Sequence, residues 1–439
     1  MALGGGTFLT TNKILPGTYI NFVSSQAATI NLSDRGFAAA GFELNWGKSN
    51  EIITITAESL QKDSLVLLGY DYTAEELRNI REVFTGGAKT LYAYRLNGSG
   101  LKASNTYCTA KYAGTRGNDL KTVITANGSN WDVETFLGNR SIDLQTVKTY
   151  ADLKSNEFVD FNMQDAVLEA TTGLQLAGGT NSPVSGGSHQ SFLDLIESYG
   201  FNTLGCASVE PETIGLYKTY TLRMRDSIGK KFQCVSMYVD GLQSQDYEGV
   251  ITLKNTITNG VKSGYELIYW LTGAEAGCAV NRSCANKQYD GEYSINTQFT
   301  QVELEAELQS GHLVFHSQNN TVRILRDINS LITYSVDKGK DFSLNQVIRV
   351  LDQSANDIAF TFASQFYGIV PNDEAGRISL WSAIVSYYKT LQQLRAIEGF
   401  DSEHVTIAAD DNNRANVIVN SRVRPTVAME YLYITTIVE

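Results

Sequence analysis

The 439-residue chain has little proline, cysteine, methionine, histidine or tryptophan: five, five, five, four and four residues respectively. So few prolines exclude a Pro-rich linker protein. The cysteines, Cys108, Cys206, Cys234, Cys278 and Cys284, are odd in number and lack paired spacing. That excludes a disulfide framework and fits synthesis in a reducing cytosol. No run of 18 apolar residues exists, so neither a membrane-spanning helix nor direct membrane insertion is expected. The first residues show no basic region followed by an apolar core, so no secretory signal is expected. Cations are in deficit: 35 Lys and Arg against 47 Asp and Glu give a net charge of −12 and a pI near 5.0. Free nucleic acid is therefore not an expected partner.

Catalytic patterns are absent too. There is no G-x-x-x-x-G-K-[ST], no G-x-G-x-x-G after a strand and no G-x-S-x-G elbow,. Gly178-Gly179-Thr180-Asn181-Ser182 and Gly186-Gly187-Ser188 resemble phosphate loops superficially and read as a flexible βα loop needing positive φ. His312 and His316 lie four apart without a third ligand at matching spacing,. Cys278 and Cys284, with five residues between them, match no common metal pattern and read as buried, inert thiols,. No catalytic, cofactor or metal residue is assigned, and an enzyme is not expected. A Ser/His/Asp site assembled from distant residues stays open, because triads are spatial.

What the chain does have is 43% hydrophobic and 19% charged residues, 37 glycines and 23 tyrosines. That is enough apolar material for packed cores and suits strands and adaptable interfaces. Residues 52–56 and 65–69 read as strands,. Thr73-Ala74-Glu75-Glu76 reads as a capping box opening a helix with Leu77, Ile80 and Phe84 on one face, stopped by Gly86-Gly87,. A strand over 90–96 follows. Residues 98–175 predict a β-rich insert with a strand over 120–126, Asn-Gly turns at 97–98 and 127–128, and a short helix over 146–154,.

Beyond residue 176 strands and helices alternate, which argues for a largely parallel sheet. Phe192, Leu195, Ile196 and Tyr199 mark one helix face; strands are expected over 201–206 and 232–239, and helices over 214–228 and 266–279. Thr300 and Glu303 form a second capping box,. Strands over 313–316, 322–325 and 331–334, helices over 344–367 and 374–397, and a hairpin over 405–408 and 415–419 complete the pattern.

The two ends read as strands with no partner nearby in sequence, over 16–23 and 427–438. Unpaired apolar edges invite pairing with another chain.

This order of elements resembles the sheath proteins of contractile phage tails and R-type bacteriocins, over more than 400 residues. The likeness is carried by Leu15-Pro16-Gly17-Thr18-Tyr19-Ile20, Lys89-Thr90-Leu91-Tyr92-Ala93-Tyr94-Arg95-Leu96, Leu176-Ala177-Gly178-Gly179-Thr180-Asn181, Phe201-Asn202-Thr203-Leu204, and Arg422-Val423-Arg424-Pro425-Thr426-Val427 after two helices and a hairpin.

The resemblance implies hexameric rings stacked around an inner tail tube, with baseplate and tail terminator proteins as further partners. It implies assembly in the host cytoplasm and residence in a virion or tail-like particle. It also implies terminal arms that add strands to a neighbour: Tyr19, Ile20, Asn21, Phe22 and Val23 in front, and Met429, Tyr431, Leu432, Tyr433 and Ile434 behind. The receiving hairpin would carry Val405, Ile407, Val417 and Val419, and a tube-facing helix Arg377, Lys389 and Arg395. Three or four buried apolar side chains give one arm about 5–10 kcal/mol before ordering costs.

The expected fold is α+β and multidomain: an N-terminal arm (1–25), an α/β segment (26–97), the β-rich domain (98–175), an α/β middle domain (176–335), a C-terminal domain of two helices and a small sheet (336–425) and an arm strand (426–439). Two other classes remain open at this stage, another tail or surface-lattice protein and an α/β hydrolase with an accessory β domain.

Overall fold

Apolar strands alternating with helices build a seven-stranded sheet in the computed structural model, which describes residues 29–163, 166–260 and 263–438. The expected arm strand at Tyr19, Ile20, Asn21, Phe22 and Val23 lies outside the described residues.

The first elements are β1 (Phe37–Phe42), β2 (Ile52–Thr56), α1 (Ala57–Leu68), α2 (Arg78–Gly86) and β3 (Thr90–Arg95). Then come β4 (Thr109–Ala110), β5 (Leu120–Asn127), β6 (Asn130–Leu137), β7 (Arg140–Val147), β8 (Val159–Asp160) and β9 (Thr171–Gln175). The middle contributes α3 (Gly186–Ile196), β10 (Thr203–Gly205), α4 (Pro211–Leu222), β11 (Gln233–Met237), β12 (Val250–Leu253) and α5 (Leu267–Gly277). The rest are α6 (Gln301–Gln309), β13 (His312–Leu313), β14 (Phe315–Gln318), β15 (Thr321–Ile324), α7 (Asn345–Thr361), α8 (Glu374–Gln393), β16 (Val405–Ala409) and β17 (Val417–Ser421). π-helical turns extend α4 over Arg223–Ile228 and α7 over Phe362–Phe366.

The described residues divide into two compact units. One holds 33–163, 166–260, 263–356, 395–398 and 425–438; the other holds 29–32, 357–394 and 399–424.

In the larger unit the strand order is β13-β12-β11-β10-β1-β3-β2, parallel except for β2. Every residue of α5 except Gly277 is buried, as expected for an apolar helix sealed on all sides,. Its backbone touches that of α2: a Cβ on Gly273 would lie 1.9 Å from the Val83 carbonyl oxygen, and one on Gly86 would lie 2.2 Å from that of Trp270. Only glycine permits this approach. A separate four-stranded antiparallel sheet has the order β7-β6-β5-β9. Its first hairpin turns through Gly128 at φ +62°, at the expected Asn-Gly step,. Trp46 stacks on Phe158 at 5.9 Å in the neighbouring apolar cluster.

In the smaller unit Asp373 caps α8, its side chain accepting the Gly376 N–H at 2.7 Å,. The Trp381 indole donates to the Val405 carbonyl at 2.8 Å, tying α8 to the β16–β17 hairpin. That hairpin is a two-stranded sheet in register from Val405↔Ser421 to Ala409↔Val417. Among the described residues neither of its outer edges is paired.

Several local expectations are corrected. The run over 65–69 is the end of α1, closed by Gly69 at φ +79°. Thr73–Glu76 forms no capping box: a 3₁₀ turn, Glu75–Leu77, precedes α2, and Arg81 donates to the carbonyls of Tyr72 and Ala74, both at 2.6 Å. The expected helix over 146–154 is the end of β7 followed by a single 3₁₀ turn, Tyr150–Asp152. Asn97 makes no hairpin turn; its buried side-chain oxygen accepts the Leu44 N–H at 3.0 Å. Leu195 faces outward and Leu193 is buried in its place. Residues 331–334 form no strand, because the Asp246 carboxylate takes the N–H groups of Ile332 and Thr333.

Candidate functional site

The last described residues, 425–438, form no strand within the single chain, contrary to the expected terminal strand. Their base is fastened to the larger unit. Thr426 donates from its backbone N–H to the Ala396 carbonyl at 2.9 Å and from its hydroxyl to the Arg395 carbonyl at 2.6 Å. The Ala428 N–H donates to Gln346 Oε1 at 2.9 Å. Arg326 Nε meets Glu430 Oε2 at 2.7 Å, and its guanidinium lies 5.9 Å from the centre of the Tyr431 ring. That ring borders a cavity of about 480 Å³, with Leu308, Ile328, Ile332 and Tyr334 also in its wall.

Around and beyond this base the large apolar side chains are bare. Met429, Leu432, Tyr433, Ile434, Ile437 and Val438 are each at least 74% exposed. Scattered surface apolar residues are ordinary, but a contiguous run of large ones marks a surface awaiting a partner.

The smaller unit carries the matching chemistry. Phe360, Tyr367, Ile369, Ile378 and Ile418 are exposed. A cavity of about 280 Å³ is lined by Phe362, Phe366, Val370, Leu380 and Val417 among others. Of the expected receiving residues, Val405 is buried, Ile407 and Val417 are half-buried and Val419 is exposed. The three expected cations do not form one stripe. Arg377 is half-buried and donates to the carbonyl and the side-chain oxygen of Asn372, both at 3.0 Å. Lys389 is exposed on α8, roughly 120° around the helix from Arg377 at 3.6 residues per turn. Arg395 lies beyond the end of α8 at φ +59°.

The histidines and glycine runs noted in the sequence occupy ordinary structural settings. His312 Nδ1 contacts Glu307 at 2.5 Å and His189 Nδ1 contacts the Tyr217 hydroxyl at 3.0 Å. Burial pushes His189 down to about 4. Gly178 takes φ +84°, while Gly186 and Gly187 begin α3 behind a Ser185–Ser188 capping box.

Sequence reasoning missed one buried cluster. Glu275 on α5, Cys284 and Asp327 bring an oxygen, a sulfur and an oxygen within 4.8 Å of one another. Arg349, from α7, pairs with Glu275 and lies 3.4 Å from Asp327. Asp327 also accepts from the Ser283 hydroxyl, the Cys284 N–H and the Asn345 amide at 2.8–3.1 Å. Although burial opposes its charge, Arg349 and these donors hold Asp327 below the usual carboxylate range. Burial and then the Asp327 charge push Glu275 well above it. The donor set resembles a metal site, but Arg349 supplies the counter-charge and Asp327 is fully engaged, so the cluster is an ion-pair network. Cys278 corrects the expectation of inert thiols: it is half-buried, and the Cys284 thiol and two nearby arginines hold it down to about 6.

Family comparison matches residues 35–330 and 337–439. Four family profiles match in tandem: Gp18 tail sheath domain III N-terminal region (35–96), phage tail sheath β-sandwich domain (85–181), central domain (182–330) and C-terminal domain (337–439). The crystal structure of a sheath tail protein from Desulfitobacterium hafniense is 33% identical with a TM-score of 0.83, covering 95% of this chain and 99% of that one. The phage-like element PBSX protein XkdK of Bacillus subtilis is 29% identical over 98% of this chain and 99% of its own length. The contracted helical sheath of the anti-feeding prophage, at 14% identity and a TM-score of 0.61, shares the fold. The chain belongs to the phage tail sheath protein family.

Proposed function

We propose that this chain polymerises as stacked hexameric rings around an inner tail tube and contracts to drive that tube through a bacterial envelope. Subunits are linked by donated strands: residues 18–23 and 427–438 of one copy pair with the β16–β17 hairpin of neighbours. The observation that carries this reading is the row of bare apolar side chains from Met429 to Val438, together with a β16–β17 sheet whose outer edges are unpaired among the described residues. A strand added to such an edge satisfies backbone groups that a single copy leaves to water. Each subunit gives two arms and receives two, so the lattice is multiply bonded and can shear while its strand contacts persist.

Contraction draws on a conformational energy difference stored at assembly and released from the baseplate ring by ring. Arg377, Lys389 and Arg395 contribute to a weak grip on the tube, since exposed charge contacts are worth only about 0–1 kcal/mol each. The antiparallel β5–β9 layer faces outward. Assembly takes place in the host cytoplasm, and the product is a virion tail or a bacteriocin-like particle capped by baseplate and terminator proteins.

Deleting residues 1–24 and imaging the purified protein by electron microscopy tests the linkage. A folded monomer that forms no sleeves is expected; normal polymerisation of the deletion contradicts it.

A further inference from the structure

Cys278 closes the C-terminus of α5, and Cys284 returns to the same spot. The Cys278 N–H donates to the Ala274 carbonyl at 3.0 Å, and the Cys284 thiol reaches that same oxygen at 3.5 Å. The Cys278 thiol meets the Arg282 carbonyl oxygen at 3.5 Å, so both sulfurs lie in this one turn. Arg35 donates to the Cys278 carbonyl at 2.8 Å and to the Glu275 carbonyl at 3.1 Å, while Arg349 donates to the Arg282 carbonyl at 2.6 Å inside the same loop. Solvent reaches Cys278, which lies between exposed Gly277 and Ala279, whereas Cys284 is 1% exposed. A partly exposed thiol with a lowered pKa beside cations, and a second thiol in the same turn, is the arrangement of a reactive cysteine and its resolving partner,. Cys108, Cys206 and Cys234 lack it: all three are buried and their thiols are pushed up, to about 12 for Cys108 and Cys234.

We propose that Cys278 and Cys284 are a dithiol–disulfide site that is oxidised by low-molecular-weight disulfides such as oxidised glutathione. The Cys278 thiolate attacks one sulfur of the glutathione disulfide, making a mixed disulfide and expelling a glutathione thiolate that takes a proton from water. Cys284 gives its proton to solvent and attacks the Cys278 sulfur, expelling the second glutathione. Two protein thiols are oxidised and one glutathione disulfide becomes two glutathiones. Oxidation removes a negative charge from between Arg35 and Arg349, so the site reports a passage from reducing to oxidising surroundings through its local charge balance. The chemistry is independent of how the subunits assemble.

The test is peptide mapping by mass spectrometry after treating the folded protein with oxidised glutathione at near-neutral pH. The expected result is loss of two of the five thiols, a linked peptide joining Cys278 to Cys284, no retained glutathione, and reversal by dithiothreitol. C284S retains one glutathione on Cys278; C278S reacts at least about tenfold more slowly, as a thiol without the lowered pKa does. The map of the unmutated protein decides even if either variant misfolds. Five intact thiols, or glutathione held on Cys278 without ring closure, overturns the proposal.

Discussion

Arg326 and Glu430 meet at 2.7 Å, 104 residues apart in sequence, and fasten the base of the C-terminal segment where its bare apolar run begins. With their side chains 24% and 18% exposed, the pair contributes little to global stability. Its consequence is directional: it decides where the segment leaves the body of the subunit. Replacing Arg326 by Ala is expected to change unfolding free energy by less than about 1 kcal/mol. Hydrogen exchange at the amides of 427–431 should nonetheless accelerate and sleeve formation should slow. Unchanged exchange there means that Gln346 and the Thr426 contacts suffice.

Glu82 supplies a pH-dependent contribution. Burial pushes its carboxyl up to about 7, although the Glu292 N–H and the Tyr289 hydroxyl favour the anion. The native state keeps a proton that the unfolded chain releases near its ordinary 4.5. Stability from this group therefore falls as pH rises from about 4.5 to 7, by on the order of 3 kcal/mol. His189, pushed down to about 4, works in the opposite sense up to about 6.5, so the informative quantity is a difference. Urea unfolding of the parent and E82Q at several pH values should show the variant gaining relative stability as pH rises through that window. A constant difference rejects this assignment.

Gly273 sets the α2–α5 contact. A methyl group placed 1.9 Å from the Val83 carbonyl oxygen cannot be absorbed by a side-chain adjustment, because the obstacle is backbone. G273A is expected to cost at least about 3 kcal/mol, at the upper end of overpacking effects. Thermal denaturation measures it; a melting temperature like the parent's means that the helices can separate freely.

Much of the fold is legible in local chemistry. The Thr300–Glu303 capping box forms with reciprocal hydrogen bonds, and the polar turn at 410–413 sits inside the β16–β17 hairpin. The errors share a cause. Leu65-Val66-Leu67-Leu68 is apolar at every position, and such a run does not distinguish a strand from a buried helix end. The deciding signals lay at its flanks, in the Thr56–Ser59 capping box and Gly69. The Glu275–Asp327–Arg349 cluster, with its two cysteines, gathers residues spread over 75 positions. No spacing rule encodes such a set; only the packing of α5 against α7 and the 326–329 segment assembles it. The segment 427–438 is apolar as expected but forms no strand here; a strand is a property of two partners, and one chain supplies only one,.

The central claim is that subunits are joined by their own donated ends. A photo-crosslinking amino acid in place of Tyr433, irradiated in assembled sleeves, tests it directly. The expected result is a ladder of covalently linked subunits on a denaturing gel, with the crosslinked peptides mapping to residues 405–421 of another copy. Crosslinks confined to single chains would contradict it.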